Sequence, residues 1–277
     1  VPQLPGFSIA GISEPSRQVG GDYYDFLRLP DSKLGIAVGD VSGKGIPAAL
    51  LMSNLQASLK GQILHGGSVS RTVSLVNHLL VSSTDTNMFA TFFYGELDPE
   101  KGTFTSSNAG HDPPILCRAD GSIERISTGG LILGVMDETN YEESTLRMNE
   151  GDVLVVYTDG ITEAQGPLPQ LPPPTGKVST AGGRRGGETD GARGENADGA
   201  RGENADGARG GEAGEVQDDR VNLFEEERLI DVIRANRGRN AQEIERAILD
   251  AVKRHVADIP QSDDITLVVI KRDSNHS

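Results

Sequence analysis

The stretch LGIAVGDVSGKGIPAALLMSNLQASL, residues 34–59, changes its period midway, and that change decides the fold. Leu34 to Val41 reads as a strand, its apolar run Leu34 to Val38 ended by Gly39-Asp40. From Pro47 on, Leu51, Leu55 and Leu59 recur every four residues, which is the spacing of one helix face. Before the stretch, Phe7 to Ile12 and Asp22 to Leu29 read as strands, and Pro30, Asp31 and Ser32 read as the hairpin turn into residue 34. After it, Val69, Val73, Val76 and Leu80 continue in helical spacing behind Ser68, a candidate N-cap. Strand-like runs follow at Met88 to Leu97, Thr103 to Asn108, Ile115 to Arg118, Glu124 to Ile126, Thr145 to Met148 and Val153 to Tyr157, which suggest a long antiparallel meander. Helical periodicity returns over Leu223 to Ala235 and Ala241 to Val256, and Ile265 to Lys271 closes the chain as a strand. Runs of strands with helices segregated in pairs predict an α+β sandwich.

The chain has 277 residues, 41 acidic against 26 basic, a formal net charge of −15, one cysteine and no tryptophan. A lone Cys117 excludes a disulfide framework and a cysteine-based zinc site. Such acidity offers no footprint for a nucleic-acid backbone, and no apolar run reaches the ~18 residues of a membrane span. A soluble, cytoplasmic protein with no nucleic-acid and no membrane contact is the expectation. The chain begins at Val1 with a strand close behind and no targeting segment, which suggests a piece of a longer protein. Composition shifts after Ala164. GARGENAD occurs at 191–198 and again at 199–206, and such a polar repeat has nothing to bury. Residues 166–217 are therefore expected to form a disordered insert interrupting a single domain that spans 1–277.

Four aspartates sit at strand ends. Asp40 and Asp159 each close an apolar run, whereas Asp22 and Asp263 each precede one, so in an antiparallel sheet all four can converge on one edge. Clustered carboxylates repel one another, and hard oxygen donors select Mg²⁺ or Mn²⁺ over zinc. Taken singly, each is more often an ordinary turn former. Gly20, Gly21, Gly39 and Gly160 beside them allow close backbone approach to an ion or a phosphate. Other signatures fail. GDVSGKG (39–45) is no P-loop, because Val38 stands where its first glycine belongs and Gly45 replaces the Ser or Thr. His65, His78, His111, His255 and His276 show no zinc spacing, and His111 reads as a turn residue with a positional hydrogen bond. Lys44 reads either as a solvated lysine or as a partner for a phosphate.

VGGDYYD (19–25), GDVSGKGIPAAL (39–50), NAGHDPP (108–114), YTDGITEA (157–164) and SDDIT (262–266) together resemble the bacterial metal-dependent (PPM-type) protein phosphatases of the SpoIIE and RsbU kind. The five motifs stand in the family's order and cover the chain apart from the insert. The resemblance implies the 2C-type phosphatase fold, a β-sandwich of two antiparallel sheets flanked by helix pairs. It also implies hydrolysis of phosphoserine or phosphothreonine on a regulatory protein of the anti-anti-sigma-factor type, within partner-switching signalling, by a water activated between two Mn²⁺ or Mg²⁺ ions. By the same resemblance Asp40 bridges the ions, Val41 lends its carbonyl, Asp159 and Asp263 hold the second ion, and Asp22 acts through water. Asp264 and Gly160 support the site. The chain departs from the eukaryotic branch in having Val41 and Ser42, not histidine, after Asp40, so its general acid is open and His111 is a weak candidate. The insert lies where family members place a variable flap. An N-terminal sensor domain and dimerisation in the full-length protein are further expectations. The alternatives are a catalytically inactive pseudo-phosphatase that binds a partner, and a two-metal nuclease or phosphodiesterase, which the acidic charge disfavours.

Overall fold

A computed structural model describes residues 1–83, 88–168 and 221–274. In it, residues 34–59 divide as their period dictates. Strand β3 (Leu34–Val41) follows β1 (Phe7–Glu14) and β2 (Tyr23–Arg28), and leads into helix α1 (Ile46–Ile63) and helix α2 (Val69–Ser83). Leu34, Ile36 and Val38 point one way, Ala37 and Val41 the other, so β3 is buried on both faces. The hairpin before it turns on Asp31 and Ser32, both at positive φ (56° and 57°), with the Lys33 N–H donating to the Pro30 carbonyl at 3.3 Å. This is the primed turn whose twist matches that of the flanking strands. Pro47 sits in the first turn of α1, where its missing N–H costs nothing. Ser68 caps α2, its Oγ accepting from the Arg71 N–H at 3.2 Å.

The remaining elements are β4 (Ala90–Asp98), β5 (Thr103–Ala109), β6 (Ile115–Cys117), β7 (Ile123–Arg125), β8 (Gly129–Gly130), β9 (Ser144–Arg147), β10 (Val153–Tyr157), α3 (Asp159–Thr162), β11 (Gln165–Gly166), β12 (Asn222–Leu223), α4 (Glu225–Asn236), α5 (Ala241–Val256) and β13 (Ile265–Arg272). One sheet runs β1-β13-β10-β6-β7; the other runs β2-β3-β4-β5-β8, with β9 also pairing β5. Three apolar layers result. Ile9, Ile36, Val38, Phe93, Phe104, Leu154 and Val268 fill the space between the sheets. Leu51, Leu55, Val73 and Val76 press α1 and α2 onto the second sheet, and Leu229, Ile233, Ile244 and Ile248 press α4 and α5 onto the first. Each fully buried leucine or isoleucine in these layers contributes about 1.5–3 kcal/mol. The α+β sandwich flanked by helix pairs is therefore present.

Two expectations are corrected. The strands after α2 are not one meander: β4, β5 and β9 stay in the second sheet, while β6, β7 and β10 cross to the first. Pro113 and Pro114 explain the break, since neither carries an N–H to continue the β5 ladder. The second sheet is also not wholly antiparallel, because β8 pairs β5 in parallel through Asn108↔Gly129 and Ala109↔Gly130. Gly166, where the expected insert begins, pairs with Asn222 across β11 and β12. The insert's residues 169–217 lie outside the described residues, and so does the expectation of disorder there. Among the described residues no helix is long and apolar enough to cross a membrane.

Candidate metal centre

Side-chain alternation carries the aspartates to one place. On β3 the even positions Ile36 and Val38 face the space between the sheets, so Asp40, two residues further, emerges at the rim of that space. Asp22 immediately precedes β2, whose Tyr23 pairs with Gly39, and therefore lies beside Asp40. On the opposite sheet Tyr157 pairs with Leu267, and the Thr158 N–H donates to the Thr266 carbonyl at 3.1 Å. Asp159, which opens α3, and Asp263-Asp264, which precede β13, thus stand at the same end.

At this spacing the carboxylates act on one another. Burial pushes the Asp40 carboxyl up to about 8, and the negative charges of Asp22, Asp159, Asp263 and Asp264 add to the effect. Asp22 is pushed up to about 6 by burial, against the opposing hydrogen bonds of Thr158 and Thr266. Burial, with Glu163 and Asp263 nearby, also takes Asp159 to about 6. Asp264 behaves differently. Its burial is outweighed by hydrogen bonds from the Ser16 N–H (2.7 Å), the Ser16 hydroxyl (2.9 Å) and the Gly21 N–H (2.7 Å), which hold it below the usual carboxylate range. Asp264 thereby ties the residues before Asp22 to the start of β13.

Two close approaches explain the glycines. A Cβ on Gly21 would stand 2.9 Å from the Val41 carbonyl oxygen, and one on Gly160 would stand 1.9 Å from the Asp264 carbonyl oxygen. Only a residue without a side chain lets these segments meet.

Other contacts at this edge carry little signal in the sequence. The Thr158 hydroxyl donates to Asp22 Oδ2 at 2.7 Å and accepts from the Thr266 N–H at 3.0 Å, which joins the two sheets through one buried oxygen. The YTDG motif contains Thr158, but nothing local to it points to residue 22. Lys44 Nζ donates to Asp263 Oδ2 and to the Ser262 carbonyl, both at 3.0 Å. His111 is buried, and its Nδ1 meets the hydroxyl of Thr91, the residue paired with Asp40. Burial pulls the imidazole down to about 4, which disfavours its protonated, acidic form. His78 pairs with exposed Asp137, and His65 contacts the Gly61 carbonyl at the end of α1.

The donor set of carboxylate oxygens, pushed up first by burial and then by mutual repulsion, suits hard divalent cations. The Asp40 side chain makes no hydrogen bond or ion pair among the described residues. Also among them, no three His, Cys, Asp or Glu side chains stand close enough to hold one ion as arranged, with Asp22 engaged by Thr158 and Asp263 by Lys44. The chemistry fits divalent ions, and the final spacing is left to their binding.

Comparison with known proteins gives concordant matches. The family model of Stage II sporulation protein E (SpoIIE) matches residues 30–181 and 208–273. Phosphoserine phosphatase RsbU of Bacillus subtilis (strain 168) is 34% identical over 166 residues, which are 60% of this chain and 49% of that protein. The chain therefore spans about half the length of this relative. A crystal structure of RsbU and RsbW domains from Mycobacterium tuberculosis superposes with a TM-score of 0.66 at 26% identity, covering 98% of this chain and 61% of that one. The catalytic domain of serine threonine protein phosphatase PstP, solved with 2 manganese ions, superposes at a TM-score of 0.59 and 12% identity, covering 97% of this chain and 99% of that one, and so shares the fold.

Proposed function

The chain belongs to the Stage II sporulation protein E (SpoIIE) family of bacterial PPM-type protein phosphatases, and from that premise we propose that it hydrolyses phosphoserine or phosphothreonine on a regulatory protein. The observation that carries this reading is the convergence of Asp22, Asp40, Asp159 and Asp263 on one rim of the sandwich, where Asp40 is pushed up to about 8. Asp40 would bridge two Mn²⁺ or Mg²⁺ ions with the Val41 carbonyl beside it, Asp159 and Asp263 would serve the second ion, and Asp22 would act through water. Such ions lower the pKa of a water and neutralise charge on phosphoryl oxygens. The protein supplies orientation. Thr158 fixes Asp22, Asp264 fixes Ser16 and Gly21, and Gly160 lets α3 rest on the Asp263-Asp264 backbone. Asp263 is about half exposed, so the rim is open to solvent, and water could supply the proton that a leaving alkoxide needs.

The relatives support a choice of substrate: RsbU is a phosphoserine phosphatase, and the M. tuberculosis protein joins an RsbU to an RsbW domain. A phosphorylated anti-anti-sigma-type protein in a cytoplasmic partner-switching system fits both. A sensor domain and dimerisation in a longer chain belong to the same proposal. The experiment is Mn²⁺-dependent turnover of p-nitrophenyl phosphate by parent, Asp263→Asn and Asp264→Asn, with thermal melts in chelator. Asp263→Asn should lose turnover by orders of magnitude with little change in melting. Asp264→Asn should melt lower, since its amide cannot accept all three donors, and retain more turnover per folded molecule. No Mn²⁺-dependent turnover by the parent would favour the partner-binding module.

A further inference from the structure

We propose that Lys44 is a latch on the acidic rim: its ammonium holds Asp263 across the mouth of the cleft until a divalent ion claims that carboxylate, and then turns to the phosphoryl group of the substrate. The inference rests on the two-ion reading and adds a regulating and phosphate-positioning residue to it. Lys44 lies between β3 and α1, on one sheet's side of the rim; Ser262 and Asp263 lie before β13, on the other side. Its Nζ reaches both Asp263 Oδ2 and the Ser262 carbonyl at 3.0 Å, so one side chain spans the opening between the sheets. The other oxygen of Asp263 accepts from the Asp264 N–H at 2.9 Å, which leaves Oδ2 as the oxygen that an ion and the ammonium contest.

The pair is built to yield. Side-chain exposures of 42% for Lys44 and 48% for Asp263 make it a solvent-screened bridge, weak beside the attraction of a divalent cation for a cluster of carboxylates. An ammonium and a divalent ion repel each other, so seating the ion at Asp263 displaces Lys44. The freed group is a compact charge on a flexible stem, suited to a phosphate oxygen, in a rim whose other charged groups described above are carboxylates. Substrate phosphate thus meets a cation after the ion has bound, and the order of binding follows from the latch.

The two halves predict effects of opposite sign, which a merely structural lysine would not produce. Calorimetric titration of MnCl₂ into ion-stripped full chain should show Lys44→Met binding Mn²⁺ about three- to tenfold more tightly than the parent, because its competitor is gone. Inorganic phosphate should inhibit p-nitrophenyl phosphate turnover by the same variant about tenfold less well. Lys44→Arg, which keeps the charge, should stay within about twofold of the parent in Mn²⁺ binding. Unchanged or weaker Mn²⁺ binding by Lys44→Met overturns the latch, and unchanged phosphate inhibition overturns the phosphoryl contact. If the parent binds no Mn²⁺, the two-ion reading itself fails and the latch with it.

Discussion

Replacing Asp40 with Asn removes a charge from the rim while keeping the size of the side chain, and its consequence for stability has a sign that depends on pH. In the folded chain the Asp40 carboxyl is pushed from 3.8 to about 8, first by burial and then by Asp22, Asp159, Asp263 and Asp264. Between those values the folded state binds a proton that the unfolded state has released. Stability from this site is therefore full below about pH 4, falls as pH rises, and is lowest above pH 8. Four units at about 1.36 kcal/mol each set a ceiling of roughly 5.5 kcal/mol. Asp40 is partly exposed, so solvent screening brings the effect to about 1–3 kcal/mol. For a domain of this size that is about 3–10 °C in melting temperature. In chelator, Asp40→Asn should melt with the parent at pH 4 and above it by this margin at pH 8.5. In Mn²⁺ the order should reverse at pH 8.5, because bound ions stabilise the parent by mass action and the variant has lost its bridging ligand. The assay is differential scanning calorimetry across pH 4–8.5 with and without Mn²⁺. A variant that melts below the parent in chelator at pH 8.5, or a margin that does not grow with pH, would refute the reasoning.

Gly160→Ala places a Cβ 1.9 Å from the Asp264 carbonyl oxygen, so either α3 or the 263–264 backbone must shift. It should cost about 1–3 kcal/mol in urea unfolding and should lower Mn²⁺-dependent turnover even where the protein remains folded. Ser32→Gly should act in the opposite direction, relieving the positive φ of the β2–β3 turn and raising stability by about 0.5–1 kcal/mol. Its turnover should equal the parent's, and a lower melting temperature would contradict the turn geometry.

The sequence alone carries whatever local periodicity encodes. Residues 34–41 must be extended and 51–59 helical, because side-chain spacing follows directly from backbone φ and ψ. Ser68 could be read as a cap for the same reason, and the aspartates could be placed at strand ends by counting from apolar runs. Tertiary structure decided which sheet each short strand joined. Ile115 and Cys117 pack against α4 and α5 while Leu116 faces the other sheet, so β6 shows no polar alternation to reveal its partner. The two-residue β8 is too short to show a period at all, and its parallel pairing follows from where the chain returns to β5. The state of the rim also lay beyond local reading. Whether a carboxyl at residue 40 is ionised depends on its distance from charges at 22, 159, 263 and 264, and whether residue 111 can give a proton depends on how deeply it is buried. Such separations are set by long-range packing, as are the contacts of Thr158 with Asp22 and Lys44 with Asp263, because folding alone brings residues more than a hundred positions apart within 3 Å.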